Sequence, residues 1–518
     1  MTPISALLSN VRDRPEETAF TAGEDVWTYG RFAGEVERMA RALVKRGVEP
    51  GDRVVCHMAN RPELAVAYYA CFRIGAIAAP LNIRFKAAEL WPLLSRLQPS
   101  LYLGEARLYP EIEPIEVEIL PSHARYVLGG AGEGDARPWE HLFAGSDGVA
   151  LPDMPAPDML GDDVPALLLT TSGTTGVPKF VTHTPATLSA ISDAYKVIGF
   201  AEKHHIAIHA VPMVHASGAM MFLGAIRYGV PLVLLDRFDP AEVLDAIERH
   251  RGTWFMGLPF MYAEIVRHQQ MRPRRTTSLR FCMAAGDVCP LELQEVFPPL
   301  FGIPLRSAWG MTETIGMLTY GLRPGPVSRI VPGSQIRLVD EKGDQVPRGE
   351  AGELLVRGPN VTVGYWRGPG QIEAVAEDGW LRTGDLMKWA GGDELWFVGR
   401  KKDLIIRGGS NISPVEVERV LRTHPAVRDV AVAGVSDPVL GQRVAAFVEL
   451  AGGYGKGVLE DILRCARAEL ADYKMPERLT VVDTIPRNAL GKVDRRALPV
   501  AVLGSAVAQP LRQPVLAR

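Results

Sequence analysis

Residues 170–179 read Thr170-Thr171-Ser172-Gly173-Thr174-Thr175-Gly176-Val177-Pro178-Lys179 and directly follow the apolar run Ala166–Leu169. The first seven are all Thr, Ser or Gly, which supply hydroxyl groups and exposed amides and let the backbone approach an anion. The run therefore predicts a phosphate-binding loop after a buried strand, with Lys179 adding a charge. It is not a Walker A loop, because Val-Pro-Lys follows Gly176. The alternative is a flexible Ser/Thr/Gly linker.

Short apolar runs alternate with helical patterns on both sides of this loop. Before it, a strand is predicted at Asp52–Met58, a helix at Pro62–Ile74 and a strand at Ala76–Pro80. After it, strands are predicted at Pro231–Leu235, Thr253–Gly257 and Leu279–Met283, and helices at Pro240–His250 and Phe260–His268. Such alternation indicates parallel sheets covered by helices, so we predict an α/β fold with two subdomains of this kind.

The composition of the sequence changes at about Val327. Glycine and proline become frequent, and closely spaced strands are predicted at Ser334–Val339, Gly352–Arg357 and Glu394–Val398, which indicates a β-rich subdomain over about 327–399. Beyond Arg400 the predicted elements are helices Pro414–Arg422 and Val458–Leu470 and strands Val430–Val435, Val444–Leu450 and Leu479–Val482. They predict a separate α+β domain of roughly 100 residues over 403–500, followed by an Ala/Pro-rich, frayed tail at 501–518.

Composition excludes several classes of protein. The 518 residues include 57 Lys and Arg against 60 Asp and Glu, a formal net charge of -3, so neither a nucleic acid nor a membrane surface is favoured as partner. The apolar stretch Leu64–Ile83 is interrupted by Arg73, Gly75 and Pro80, which fits a buried helix and strand better than a membrane span.

The cysteines and the N-terminal residues indicate the cellular compartment of the protein. The five cysteines, Cys56, Cys71, Cys282, Cys289 and Cys465, show no CxxC spacing, which favours buried, reduced thiols over a zinc site or disulfides. Met1–Asn10 lacks the basic start and apolar core of a signal peptide. We therefore predict a cytoplasmic protein.

Four further motifs follow the 170–179 loop in order. They are Trp309-Gly310-Met311-Thr312-Glu313, Trp380-Leu381-Arg382-Thr383-Gly384-Asp385, Gly399-Arg400-Lys401-Lys402-Asp403 with Gly408-Gly409, and Pro486-Arg487-Asn488-Ala489-Leu490-Gly491-Lys492. Together with the loop, they resemble the motifs of the acyl-adenylate-forming superfamily, which includes acyl- and aryl-CoA synthetases, adenylation domains of peptide synthetases and firefly luciferase. The resemblance covers almost the whole chain. It implies a large N-terminal domain over 1–399, a hinge at 400–402 and a mobile C-terminal catalytic domain.

The resemblance also implies a reaction. A carboxylate is a poor electrophile, so the acid attacks the α-phosphate of ATP and becomes an acyl adenylate. Two anions meet in that step, and catalysis depends on positioning and charge stabilisation. Lys492 is expected to bridge the carboxylate and the α-phosphate, Thr312 to donate to the α-phosphate, and Glu313 to bind Mg²⁺. Without the motifs, Lys492 would be read as a solvated lysine and Thr312-Glu313 as a helix cap.

The resemblance implies nucleotide binding for a larger set of residues. Trp309 occupies the position of the aromatic residue that stacks on adenine, which in the family is more often Tyr. Asp385 is expected to accept from two ribose hydroxyls, and Arg400 to contact ribose or phosphate. A plain Asx-turn is the alternative for Asp385. The full nucleotide set is Thr170, Thr171, Ser172, Gly173, Thr174, Thr175, Gly176, Lys179, Gly286, Asp287, Trp309, Gly310, Met311, Asp385 and Arg400.

The acyl pocket is implied near His215, which matches the family's histidine at that site. Its expected apolar lining is Ala216, Met220, Met221 and Ala285. Relatives that activate amino acids usually carry an Asp near this histidine to bind the substrate ammonium, and none stands here, which argues against an amino acid substrate.

The thiol half-reaction is implied by the remaining motif residues. Lys402 occupies the hinge position, and Gly408-Gly409 would form the face presented to the thiol after domain rotation, although two glycines also make a plain turn. Lys474 is a candidate for contacting the nucleotide of CoA, with a solvated lysine as the equal alternative.

These observations predict an ATP- and Mg²⁺-dependent acid–CoA ligase that works through acyl-AMP on an apolar medium-chain aliphatic or aryl carboxylate. A stand-alone ligase that loads the phosphopantetheine of a carrier protein is the main alternative, and luciferase-like oxidation on the same scaffold is a more distant one. ATP, the acid and CoA are the expected small-molecule partners, and a homodimer is left open.

Overall fold

The computed structural model describes residues 1–130, 134–152, 164–171, 178–201, 204–327, 329–389, 391–407, 410–437, 439–452, 457–488 and 491–498. The predicted site residues Ser172, Gly173, Thr174, Thr175, Gly176, Gly408 and Gly409 lie outside these ranges. The chain divides into two compact units. The first comprises Met1–Thr383 and Lys388–Trp396, and the second comprises Gly384–Met387 and Phe397–Arg518.

The helices of the described residues are α1 (Pro3–Asp13), α2 (Tyr29–Lys45), α3 (Pro62–Ile74), α4 (Ala87–Leu97), α5 (Pro185–Val197), α6 (Ala216–Tyr228), α7 (Pro240–His250), α8 (Pro259–Met271), α9 (Leu291–Phe301), α10 (Pro414–Arg422) and α11 (Val458–Ala466). Two short 3₁₀ helices, Thr312–Thr314 and Lys401–Asp403, fall within predicted motifs.

The strands are β1 (Thr18–Ala22), β2 (Asp25–Thr28), β3 (Arg53–His57), β4 (Ile77–Pro80), β5 (Leu101–Glu105), β6 (Arg125–Leu128), β7 (Arg137–Pro138), β8 (Leu167–Thr171), β9 (Lys179–His183), β10 (Ala207–His209), β11 (Leu232–Leu234), β12 (Trp254–Gly257), β13 (Phe281–Ala284), β14 (Leu305–Met311), β15 (Gly316–Tyr320), β16 (Arg329–Ile330), β17 (Gln335–Val339), β18 (Ala351–Arg357), β19 (Gly364–Gly368), β20 (Gln371–Glu373), β21 (Ala376–Glu377), β22 (Trp380–Trp389), β23 (Leu395–Arg400), β24 (Ile405–Arg407), β25 (Ser410–Ile412), β26 (Val427–Asp437), β27 (Gly441–Leu450) and β28 (Arg478–Val481).

Two large mixed sheets form the body of the first unit. Counted over the described residues, each has nine strands, in the orders β20-β19-β9-β8-β4-β3-β5-β6-β7 and β16-β15-β14-β13-β12-β10-β11-β1-β2. The central strands pair in parallel, and antiparallel strands such as β9, β19 and β2 extend the edges. The predicted α/β architecture is thus present, with antiparallel edges that the alternation of strands and helices did not predict.

Helix α3 shows why these segments fold as they do. Pro62 occupies the first turn, where its missing N–H costs nothing, and Gly75 ends the helix in the left-handed conformation at φ 74°. Its residues are buried on nearly every side, which is typical of a helix packed inside a multilayer core rather than on the surface. The predicted bounds, Pro62–Ile74, are confirmed.

The β-rich segment and the second unit complete the fold. Strands β17, β18, β22 and β21 form a further sheet, with β23 paired to β22. In the second unit, β25, β24, β27 and β26 form an antiparallel sheet, β28 adds in parallel to β27, and α10 and α11 contribute to one apolar core with this sheet.

Some predicted boundaries are wrong. Helix α11 ends at Ala466 rather than at Leu470, because Ala468 N and Glu469 N donate to carbonyls only three residues back and the chain turns. Cys465 is exposed on α11, whereas Cys56, Cys71 and Cys282 are buried as predicted. Within the residues that the structure describes, no helix has the length and hydropathy needed to cross a membrane. The cytoplasmic location stays a prediction.

A buried histidine ends β10. His209 is fully buried, and among the described residues neither ring nitrogen has a hydrogen-bond partner. Burial lowers the pKa of His209 to about 3, against a smaller opposing effect of the Val211 backbone. The imidazole is therefore neutral in the folded protein at pH 5 and above, whereas an unfolded histidine with a pKa near 6.5 takes up a proton there.

Replacing His209 by leucine is expected to reduce the acid sensitivity of folding. The stability that depends on neutral His209 is complete above pH 6.5 and is lost as the pH falls towards about 3. His209→Leu should therefore remove about 2 kcal/mol of the decrease in unfolding free energy between pH 7.5 and pH 5. Urea unfolding at both pH values measures this, with the exposed His123→Leu as the control. An unchanged pH dependence in His209→Leu would contradict the assignment.

Candidate functional site

The predicted phosphate loop connects two antiparallel strands. Strand β8 leads into it and β9 leaves it, with Thr171 opposite Lys179 and Thr170 opposite Phe180. Side chains alternate between the faces of a sheet, so Lys179 and Thr171 share one face while Phe180 points to the other. Phe180 is buried in the core with Trp366 of β19, which leaves the Lys179 face for polar groups. The described ends of the loop therefore place Thr171 and Lys179 together.

Glu313 lies beside this face. It belongs to the 3₁₀ helix Thr312–Thr314, is 5% exposed, and its Oε1 accepts a hydrogen bond of 2.7 Å from the hydroxyl of Tyr365. The ammonium of Lys179 lies 4.8 Å from the centre of the Tyr365 ring. One tyrosine thus joins a predicted metal ligand and a predicted phosphate ligand that come from different motifs.

The backbone around Glu313 is held by polar side chains at its back. His183 Nε2 donates to the carbonyl of Thr312 at 2.9 Å, and burial lowers the pKa of His183 to about 4, so the ring is neutral with its proton on Nε2. Thr362 N donates to the Glu313 carbonyl at 2.7 Å, and Asn360 Nδ2 donates to the Thr314 carbonyl at 3.2 Å. Every carbonyl of this turn therefore has a fixed partner.

A buried carboxylate of this kind fits Mg²⁺. The ion prefers oxygen ligands, binds through one or two carboxylates together with phosphates, and keeps several waters. Glu313 supplies one such carboxylate, and one of its oxygens accepts from the Tyr365 hydroxyl. Among protein groups, Glu313 would hold the ion, and ATP phosphates and water would complete its shell.

The predicted adenine and acyl residues come from neighbouring strands and one helix. Trp309 is half-buried in β14, opposite Thr319 of β15, with a register shift directly after it. Ala285 follows β13, Gly286 has φ +88°, and Asp287 Oδ1 accepts from Val288 N at 2.8 Å in the turn beyond.

His215 precedes the first turn of α6. It is half-buried, and its backbone N–H donates to Pro212 O at 3.1 Å. A Cβ at Gly218 would overlap the Pro212 carbonyl, so the turn that presents His215 requires glycine there. Ala216, Met220 and Met221 are buried along α6, and Met220 approaches Gly316, three residues beyond Glu313. The predicted acyl lining and the Glu313 turn are therefore adjacent in the first unit.

In the second unit, two predicted nucleotide ligands form an ion pair. Arg400 Nε lies 3.3 Å from Asp385 Oδ1, and the side chains are 41% and 10% exposed. Strand β22 carries Asp385 directly after Gly384, and the paired strand β23 ends at Arg400. The two predicted contacts for the ribose and phosphate thus lie side by side.

Hydrogen bonds join Lys492 to Asn488, four residues before it in the chain. Asn488 N donates to Lys492 O at 2.8 Å, Lys492 N donates to Asn488 Oδ1 at 3.1 Å, and Gly491 has φ +78°. Arg487, directly before Asn488, forms an ion pair with Asp429. The backbone of Lys492 is thus fixed, and its side chain is half-buried.

The two remaining predicted lysines differ in their surroundings. Lys402 lies in the short helix Lys401–Asp403, where burial lowers its pKa. Lys474 Nζ donates to both carboxylate oxygens of Glu416, at 2.7 and 2.9 Å. Burial opposes the charged form of Lys474, but Glu416 outweighs it and raises the pKa. The ammonium of Lys474 is thus held by a carboxylate, and its role as a CoA contact stays a prediction.

One further group of side chains has the composition of a metal site. Ligand atoms of His424, Asp461 and Cys465 lie within 4.8 Å of one another in the second unit. However, His424 Nδ1 accepts from Ala426 N at 3.1 Å, so the neutral ring carries its proton on Nε2, which faces Asp461 at 3.5 Å. Asp461 is also paired with Arg464. This arrangement supports a polar cluster in which Asp461 contacts neutral His424 and pairs with Arg464, rather than a metal site, because the imidazole lone pair is already used.

The structure therefore gathers the predicted residues into sets within each unit. Lys179, Thr312 and Glu313 lie together in the first unit with the acyl lining, and Asp385 pairs with Arg400 in the second. Sequence reasoning missed Tyr365, His183 and Thr362. The only signal was the segment Gly364-Tyr365-Trp366, in which alternation sends Trp366 to the core and Tyr365 to the other face.

Comparisons with known proteins agree with this geometry. The sequence profile of the AMP-binding enzyme family matches residues 7–366, and that of the AMP-binding enzyme C-terminal domain matches residues 416–492. This chain belongs to the AMP-binding enzyme family. The predicted membership of the acyl-adenylate-forming superfamily is thereby confirmed.

Relatives in the family include named acid–CoA ligases. The indoleacetate–CoA ligase of Aromatoleum aromaticum is 33% identical over 493 residues, which cover 92% of this chain and 94% of the relative. A feruloyl-CoA synthase of an Amycolatopsis species is 33% identical over 492 residues, which cover 93% and 95%. The prediction that this chain is an enzyme, an AMP-forming acyl-CoA synthetase, agrees with these relatives.

A solved structure of the family supports the fold. The O-succinylbenzoate CoA synthetase of Bacillus subtilis, in complex with ATP and a magnesium ion, is 29% identical and has a TM-score of 0.79. The match covers 95% of this chain and 99% of that one. The predicted fold class, α/β with a separate C-terminal domain, is confirmed.

Proposed function

We propose that the protein is an ATP-dependent acid–CoA ligase for an apolar carboxylate. In the first half-reaction, the carboxylate attacks the α-phosphate of ATP to give acyl-AMP and pyrophosphate. In the second, the thiol of CoA attacks the acyl carbon and AMP leaves. The arrangement of Lys179, Tyr365 and Glu313 on one face of the first unit carries this proposal, because it combines a cation for phosphate with a buried carboxylate for a metal ion.

The residues of the chain divide the work of the first half-reaction. Lys179 and the hydroxyl of Thr171, on the same face of the sheet, bind phosphate oxygens, and Glu313 holds Mg²⁺, which neutralises phosphate charge when bound. Thr312 donates its hydroxyl to the α-phosphate. Lys492 supplies the positive charge that allows the carboxylate and the α-phosphate, both anionic, to approach each other.

The acyl substrate is proposed from the lining near Glu313. Met220 and Met221 are fully buried, and Ala216 and Ala285 add small apolar surfaces. A buried apolar wall favours a substrate without a second charge, because a buried carboxylate that lacks a partner is costly. The named relatives act on indoleacetate and a feruloyl group, which supports an aryl acid, with a medium-chain aliphatic acid as the other member of the proposed class.

A screen with three classes of acid tests the function. With ATP, Mg²⁺ and CoA, we expect pyrophosphate release to depend on the acid, and aryl or medium-chain acids to exceed dicarboxylates by about 10-fold or more in kcat/KM. Chromatography should detect the CoA thioester and AMP in equal amounts.

Each other outcome of the screen has a defined meaning. Dominant turnover of dicarboxylates would contradict the apolar pocket. Acid-dependent pyrophosphate release without a CoA thioester, but with a thioester on added phosphopantetheinyl carrier protein, would contradict the choice of thiol. The absence of acid-dependent pyrophosphate release across the panel would contradict the proposal as a whole.

A further inference from the structure

Tyr365 occupies a position in the sheet that brings its side chain to the Lys179 face. Strand β19 pairs antiparallel to β9, with Tyr365 opposite Val181 and Trp366 opposite Phe180. Residues that face each other across strands point to the same side, as do residues two apart along a strand. Tyr365 is therefore on the side of Val181 and Lys179, whereas Trp366 and Phe180 pack into the core. The register alone puts the phenol next to the Lys179 ammonium.

The two ends of the Tyr365 side chain have different partners. Its ring lies under the Lys179 ammonium at 4.8 Å, a distance at which a cation is attracted to an aromatic face. Its hydroxyl donates to Glu313 Oε1 at 2.7 Å. An ionised carboxylate can only accept, so the phenol O–H is the donor in this bond.

A carboxylate that binds a metal ion depends on such a donor. The hydrogen bond uses one lone pair of Oε1 and fixes the plane of the carboxylate, which decides where its remaining lone pairs point. Loss of this hydrogen bond therefore removes one constraint on the direction of those lone pairs. The backbone bond from Thr362 N to Glu313 O fixes the main chain but not the carboxylate plane.

We propose that Tyr365 is a positioning residue that orients the Glu313 carboxylate for Mg²⁺ and, through its ring, keeps the Lys179 ammonium beside it. This inference rests on the proposed function, since it assumes that Glu313 binds the ion that accompanies ATP. Its role is separate from that of the predicted motif residues, because Tyr365 acts on ATP only through Glu313 and Lys179.

The test compares ATP binding with and without Mg²⁺ by isothermal titration calorimetry, in the absence of carboxylate substrate. Tyr365→Phe keeps the ring under Lys179 and removes only the hydroxyl. We expect its ATP affinity in EDTA to equal that of the wild type, while the gain in affinity on adding Mg²⁺ falls by about 10-fold. Tyr365→Leu, which also removes the ring, should in addition weaken ATP binding in EDTA.

A matched control is Tyr109→Phe. Tyr109 also donates to a carboxylate, that of Asp135, but it lies in the chain segment between β5 and β6 and belongs to the same buried cluster as Phe180, on the other side of the sheet from Lys179. Its substitution should leave the Mg²⁺-dependent gain unchanged. Thermal unfolding of all variants shows whether an effect follows from lost stability.

Introducing Tyr365→Phe into a Glu313→Gln background separates positioning from a structural role. If Tyr365 acts through Glu313, the second substitution should leave the Mg²⁺-dependent gain of the Glu313→Gln variant unchanged. Additive effects, an unchanged gain in Tyr365→Phe alone, or equal losses with and without Mg²⁺ would each overturn the proposal. A wild-type protein whose ATP affinity does not respond to Mg²⁺ would instead contradict the metal role of Glu313 in the proposed function.

Discussion

Replacing Lys492 by alanine is expected to reduce acid-dependent pyrophosphate release by about 10²–10³-fold, the size of effect seen when one charge-stabilising donor is removed from an active site. The loss should appear mainly in kcat, because the two anions are closest in the transition state and Lys492 is proposed to act there. Thiolysis of a supplied acyl adenylate should be nearly unaffected. That reaction starts from the neutralised acyl group and no longer brings a carboxylate to a phosphate.

The local structure supports this use of Lys492. The main chain at Lys492 is fixed by its hydrogen bonds with Asn488 and by the ion pair of Arg487 with Asp429. A fixed main chain reduces the entropy that is lost when the Lys492 ammonium is placed between two anions. Lys492→Arg keeps the charge but changes the reach and shape of the donor group, so we expect it to restore only part of the activity.

Arg496→Ala is the control for a general loss of positive charge in this segment. Arg496 is exposed four residues beyond Lys492, and its backbone N–H donates to Asp494. Its removal should leave both half-reactions intact. Equal losses of adenylation and thiolysis in Lys492→Ala would contradict the assignment, because they would indicate damage to the fold or a role common to both steps.

Local signals predicted much of the fold. Helix α3 begins at Pro62 and ends directly before Gly75, as predicted. Helix α7 begins at Pro240, after the Asp239 cap, and its predicted bounds are also confirmed. The Asp239 carboxylate accepts from Ala241 N and Glu242 N. These signals act through the backbone within a few residues, so they can be read from the sequence. Helix α11 lacked such a stop signal, and its predicted end was wrong.

Pairing between distant strands could not be predicted in the same way. Strand β1 adds in parallel to β11, with Phe20 opposite Leu232, and thereby joins the N-terminal hairpin to the second large sheet. Nothing near Phe20 indicates that partner, because the pairing depends on packing of elements far apart in the chain. The bond from Tyr365 to Glu313 has the same origin, and so a residue central to the candidate site carried no motif signal.

Roles of the motif residues came from the resemblance rather than from physical reasoning on the sequence. Thr312-Glu313 reads as a helix cap by itself, and the structure does place it in a short 3₁₀ helix. What distinguishes Glu313 is its burial next to the Tyr365 hydroxyl and the nearby Lys179. Burial of an acidic side chain beside a designated donor is a tertiary property, which a single sequence does not reveal.

Replacing Asp385 by alanine is expected to slow both half-reactions by about 10²-fold, since two hydrogen bonds from ribose hydroxyls to a carboxylate would be lost. The ribose stays on the adenylate through adenylation and thiolysis, so a residue that binds it should matter in both steps. This pattern differs from that of Lys492→Ala, in which only adenylation is lost. Steady-state pyrophosphate release and thiolysis of supplied acyl adenylate measure the two steps separately.

A variant of Arg400, which forms an ion pair with Asp385, extends this test. Arg400 lies 3.3 Å from Asp385 and can hold the carboxylate in its orientation, so Arg400→Ala should weaken both steps less than Asp385→Ala does. Asp393→Ala is the control, because Asp393 is 86% exposed and its pair with Arg348 is at the surface. An Asp385→Ala variant that lost adenylation alone would contradict ribose binding. It would point instead to a role in the approach of the carboxylate to the α-phosphate, which is the role proposed for Lys492.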